Sequence, residues 1–184
     1  MFKLSENFSR FLQKQEIRTE TAKHLLEVAD LIAVPGAEIK QVENTLKHYR
    51  IDSIDHIKIE SIDLLISYAH YILEDGVITE TEAYDFEALK RIFRIREGEF
   101  LRYRGLDVRE ILQKEFLRIY SDAFVDRKEE LEKVNLQALF DLSYDQFQDI
   151  KKDTVISALL DGAHPRDLDI AVLPKGFRVD LGTR

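Results

Sequence analysis

The side chains with ligand chemistry gather in one short stretch of the chain. His70 and Glu74 are four residues apart, so a helix would place imidazole and carboxylate on one face, with Asp75 directly beyond. That is ligand-like spacing for a transition metal; its alternative is an ordinary helical i,i+4 pair. The octapeptide that follows, Asp75-Gly76-Val77-Ile78-Thr79-Glu80-Thr81-Glu82, looks like the back half of an EF-hand loop. With Gly76 in the glycine place, Ile78 and Glu82 fall correctly, but the first and third ligands would be Tyr71 and Leu73, which carry no carboxylate. An EF-hand is excluded. What remains is a turn followed by a helix cap, with a weak divalent-cation site as the competing reading. No enzyme chemistry is expected. The five histidines form no His-Glu-x-x-His, and there is no phosphate-cradling glycine loop, no nucleophile elbow and no cysteine.

The elements that must position these residues are written twice. Residues 71–100, YILEDGVITETEAYDFEALKRIFRIREGEF, recur without a gap as RIYSDAFVDRKEELEKVNLQALFDLSYDQF at 118–147, 47 positions on. Ile72/Ile119, Asp75/Asp122, Glu82/Glu129, Leu89/Leu136, Phe93/Phe140 and Phe100/Phe147 are identical pairs. In each copy an amphipathic helix comes first: Leu64, Leu65, Tyr68, Ile72 and Leu73, then Ile111, Leu112, Phe116, Ile119 and Tyr120. Each stops at an aspartate, Asp75-Gly76 or Asp122-Ala123. Thr79 with Glu82, and Asp126 with Glu129, read as capping boxes that open a second helix. The expected buried stripes of that helix are Phe86, Leu89, Ile92 and Phe93, and Leu131, Val134, Leu136, Leu139 and Phe140. Ser143 to Gln146 is a third box, opening a further helix. The pattern predicts an all-α, single-domain helical bundle with an internal pseudo-two-fold repeat, helices 61–74 and 79–94 matching 108–121 and 126–141.

The Asp-Gly-x-Ile-x-x-x-Glu motif at Asp75 to Glu82, followed by a long amphipathic helix and present twice, resembles the tellurite-resistance TerB-like family of small helical proteins. The resemblance spans roughly residues 61–160. It implies a stress-associated module whose acidic loops contribute to a metal-binding or anionic surface, which here carries over to Asp75, Glu82, Asp122 and Glu129. Copy two departs from the motif at Ala123 and at Arg127-Lys128.

The remainder bounds the setting. A net charge of -8 argues against nucleic-acid binding through general electrostatics, and no apolar run is long enough to span a membrane. The opening MFKLSENFSRFLQ has an acidic and polar content unlike a signal peptide, and without cysteine a cytoplasmic setting is the simplest expectation. Residues 1–60 read as helices packed on the repeat: Phe8, Phe11 and Leu12; Leu25, Leu26, Ala29 and Ile32, ended by Pro35-Gly36; then Ile39, Val42, Leu46 and Tyr49. The alternating run from Ile51 to Ile59 reads as a loop, since a lone strand has no partner. Between the copies, Lys90, Arg91, Arg94, Arg96, Arg102, Arg104 and Arg109 stand against three acidic residues. They read as solvated, locally paired charges, or as a patch for an anion or an acidic partner. Residues 161–184 read as an extended segment whose Ile170, Val172, Leu173, Phe177, Val179 and Leu181 either pack on the helices or dock into a partner protein. A helical protein–protein interaction scaffold, using that segment or the arginines, is therefore the second functional reading.

Overall fold

A computed structural model describes residues 3–119 and 127–178 of the 184. Among them all regular structure is helical: α1 (Glu6–Leu12), α2 (Gln15–Glu20), α3 (Lys23–Ala33), α4 (Ile39–His48), α5 (Lys58–Ile72), α6 (Glu80–Ile92), α7 (Glu99–Ile119), α8 (Arg127–Leu139) and α9 (Tyr144–Leu160). The expected all-α class holds. Contacts cluster into two compact units, Met1–Arg104 and Gly105–Arg184, with the boundary between the similar stretches 71–100 and 118–147. It falls beside a break in α7, where Arg104 leaves helical geometry (φ -139, ψ 41). The Arg104 guanidinium grips both oxygens of Asp63, Nη2 to Oδ2 at 2.7 Å and Nε to Oδ1.

In the first unit the core is aromatic. Tyr68 of α5 takes Phe8 edge-on at 5.2 Å, meets Phe11 at 5.0 Å and stacks on Phe86 of α6, which in turn meets Phe100. All five rings are fully buried, so the short helix α1, whose seven residues would be marginal alone, is held by tertiary packing. α3 packs on both α1 and α4. The Pro35-Gly36 stop after α3 is as expected, with Gly36 at φ 94. Three local readings differ. α2 was not signalled, because Ile17 is its one buried residue and a single apolar position has no period. The segment read as a loop before α5 contains a 3₁₀ helix, Ile54–Ile57, capped by the Ser53 hydroxyl, which accepts from the Asp55 N–H at 3.2 Å. Ile39, expected on a buried stripe, opens α4 and is 77% exposed.

α6 and α8 end alike. Arg94 and Asp141, 47 apart, adopt left-handed backbone (φ 53 and 51). The next N–H reaches back to close a Schellman turn, Ile95 to the Lys90 carbonyl at 2.9 Å and Leu142 to Gln137 at 3.1 Å. The caps that follow share the register too: the Arg96 N–H donates to Glu99 Oε2 at 2.8 Å and the Ser143 N–H to Gln146 Oε1 at 2.9 Å. The same terminator also closes α4, at Arg50, and α9, at Gly162, so it is a general device of this chain and does not by itself mark duplication.

The second unit buries Val108, Ile111, Leu112, Phe116 and Ile119 of α7, and Phe116 meets Phe147 edge to face at 5.1 Å. The helix expected at 108–121 is the part of α7 that follows the break at Arg104 and runs to Ile119. On α8 the stripe is corrected: Leu136, Leu139 and Phe140 are buried, but Val134 is 60% exposed. Two residues from Leu136 is about 200° around a helix, so Val134 lies on the far side. α9 ends at Leu160 with Gly162 as its left-handed residue, as expected. Beyond it the chain forms two 3₁₀ turns, Pro165–Asp167 and Ile170–Val172, where extended chain was expected. The second turn packs on α9. Lys151 of α9 is buried against Asp169; burial alone would raise the Asp169 carboxyl, but the Lys151 ammonium and the nearby Lys133 charge hold it below the usual carboxylate range. Val179 and Leu181 lie outside the described residues, as do Tyr120, Asp122-Ala123 and Asp126.

Candidate functional site

The acidic stretch forms the turn and cap that its sequence predicts. Gly76 takes φ 76, and Asp75 Oδ1 accepts from the Val77 N–H at 3.0 Å. Thr79 Oγ1 accepts from the Glu82 N–H at 3.3 Å, while Glu82 Oε2 accepts from the Thr79 N–H at 2.9 Å and from its hydroxyl at 2.7 Å. This is a complete capping box. The other Glu82 oxygen accepts from Asn7 Nδ2 at 3.2 Å. Thr79→Ala removes the box and is expected to lower stability by about 0.5–2 kcal/mol, read as a shift of the denaturant midpoint at constant slope.

Among the described residues the expected ligands His70, Asp75 and Glu82 form no group that could hold a metal ion. His70 is exposed, and Glu74, four residues on, pairs with Lys14 at 2.8 Å. Asp122 lies outside the described residues, and Glu129 is placed only as a member of α8. Among the described residues no three His, Asp or Glu side chains come close enough to hold a metal ion.

What the stretch does position is a carboxylate that sequence reasoning passed over. Asp85, one turn beyond Glu82 on α6, is fully buried. Its Oδ1 accepts from the Ser5 N–H at 3.0 Å, and its Oδ2 accepts from the Ser5 hydroxyl and from Tyr68 Oη at 3.4 Å. Burial, and next the Asp85 charge, push the Tyr68 phenol far above its ordinary value, so Tyr68 is a fixed donor. Ser5 in turn caps α1, accepting from the Asn7 N–H at 3.2 Å. Asp85 and Glu82 thus tie the start of α1 to α6. A signal existed: residues 82, 85, 89 and 92 share one helical face, and an aspartate inside an apolar stripe needs partners.

The arginine-rich stretch is largely paired. Arg91 Nε meets Glu87 at 2.8 Å, Lys90 meets Glu87 at 2.9 Å, Arg94 meets Asp55 at 3.2 Å, and Arg109 meets Asp153 at 3.5 Å. Burial opposes it, but hydrogen bonds from Lys90 and Arg91 lower the Glu87 carboxyl; in the same way Ser53, Arg94 and Lys58 lower Asp55. Arg91 and Arg94 nonetheless keep more than half of their side-chain surface exposed, because they also edge a groove of about 840 Å³ in the first unit.

Buried Ile32, Val42, Leu46 and Ile54 contribute the apolar lining of this groove. α4 adds exposed Ile39, with Lys40, Glu43 and Lys47, and the end of α6 adds Arg91, Ile92 and Arg94. The volume falls in the range of ligand-binding clefts, roughly 300–1,000 Å³. An apolar bed with long, exposed cations beside it can bind an amphipathic ligand. Comparison with known proteins adds no family: no family model, no curated protein and no solved structure matches this chain.

Proposed function

We propose that this chain is a non-enzymatic helical interaction module that binds a protein partner in the groove between α3, α4 and the end of α6. The single observation that carries this reading is an exposed apolar residue, Ile39, beside a buried apolar bed that no part of the described chain fills. A concave cleft with an apolar bed and a few charged groups at its edge is the usual form of a binding site. It is favoured over the weak-cation reading of a TerB-like module because Glu82 already spends both oxygens on Thr79 and Asn7, and Asp75 serves its own turn. The test compares the wild type with Ile39→Glu, a substitution at a 77% exposed position that leaves the core intact. A protein crosslinked by the wild type and lost from the variant, at unchanged melting temperature, is the expected result. Equal retention by both would place the interaction elsewhere.

The cation reading is decided separately. Binding raises stability by RT ln(1 + [L]/Kd), about 2.7 kcal/mol at a hundredfold excess over Kd. Millimolar Ca²⁺, Mg²⁺, Mn²⁺ or Zn²⁺ is expected to leave the melting temperature unchanged. A shift that disappears in Asp75→Asn would restore the acidic-loop site.

A further inference from the structure

Resting on that reading, we infer that the groove's occupant is an amphipathic helix with an acidic flank, laid so that its carboxylates meet Arg91 and Arg94. The lining is asymmetric in charge. α4 and its flanks line the groove with Glu38, Glu43 and Asp52 against Lys40 and Lys47, whereas the α6 portion holds two arginines and no acidic residue. This local positive wall belongs to a chain of net charge -8. Each arginine keeps donors in reserve. Arg91 commits only Nε to Glu87, and Arg94 only Nη1 to Asp55, so the remaining N–H groups of two exposed guanidiniums are available for bidentate carboxylate contacts. The spacing also fits a helix. Ile39, Val42 and Leu46 recur at three and four residues along α4, offering an apolar strip against which the i, i+4 and i+7 anchors of a second helix can lie. A basic helix would face the α6 arginines with like charge, which selects against it.

The probes are two blocked model helices of about 16 residues, long enough to be partly helical, with leucine at i, i+4 and i+7. One carries glutamate on the flanks and the other lysine. The full chain is expected to bind the acidic helix at least about tenfold more tightly than the basic one at physiological salt, the ratio falling as salt rises. Arg91→Gln with Arg94→Gln, which adds no repulsion toward Glu87 or Asp55, should bring the two affinities to within about twofold. Ile39→Glu should weaken both. Equal binding of the two helices by the wild type, a preference for the basic one, a preference untouched by the double glutamine variant, or no binding of either at millimolar concentration overturns the inference. A basic natural partner lost from Ile39→Glu would overturn this inference alone and leave the interaction module standing.

Discussion

Asp85→Ala is expected to destabilise the protein by on the order of 3 kcal/mol, more than any surface or capping substitution. The carboxylate accepts three hydrogen bonds in a fully buried setting. Alanine removes the acceptor and leaves the Ser5 N–H, the Ser5 hydroxyl and the Tyr68 hydroxyl to find water or remain unpaired, at roughly 1–3 kcal/mol for each buried group left unsatisfied. Part of that cost is relieved because Ser5 is only half-buried and can turn to solvent. Asp85→Asn distinguishes charge from shape. Its amide keeps one oxygen to accept from the Ser5 N–H but turns its NH₂ toward the Ser5 and Tyr68 hydroxyls, which must rotate to accept, so it should recover only part of the loss. Ser5→Ala removes one donor and should cost about 1 kcal/mol. Chemical denaturation of the full chain reads all three. A loss below 1 kcal/mol for Asp85→Ala would show that the network does not hold α1 on α6.

How much was legible depended on how far apart in the chain the cooperating residues stand. Thr79 with Glu82 and Ser143 with Gln146 each satisfy one another across three residues, so the helix starts were readable from the letters alone, and both boxes form. The Asp75-Gly76 turn and the Gly162 stop were equally local. Asp85 was not readable in the same way, since its partner Ser5 is 80 positions away and nothing in the N-terminal stretch announces where it folds. The groove was not readable for the same reason: its bed comes from α3, α4 and the 3₁₀ turn, and its cations from α4 and the end of α6. Ile39 even misled, because period alone places it with Val42 and Leu46, while its position as the first residue of α4 leaves it without a neighbour to pack against. On α8, Val134 was assigned inward because the stripe mixed two faces; Lys133, Leu136 and Phe140, spaced by three and four, are the buried row.

Phe93→Ala and Phe140→Ala are each expected to cost about 3–5 kcal/mol. Both rings are fully buried, and both stand at the same place, immediately before a left-handed residue that turns the chain out of its helix. Removing the ring therefore does two things in each unit: it leaves a cavity the size of a phenyl group, and it loosens the apolar anchor next to the Schellman turn formed by Arg94 and Ile95 or by Asp141 and Leu142. Leucine at either position keeps most of the volume and should cost much less, roughly 1–2 kcal/mol. Leu89→Ala, one turn earlier on α6 and equally buried, should lose about 2–5 kcal/mol without disturbing the turn. The comparison that matters is between Phe93 and Phe140, the identical pair 47 residues apart. If the repeated sequence encodes the same local structure twice, the two alanine variants lose similar stability, and amide exchange quickens at Ile95 in one and at Leu142 in the other. If Phe140→Ala costs under 1 kcal/mol while Phe93→Ala costs several, the second copy does not use its phenylalanine as the first does, and the likeness of the two stretches ends at the sequence.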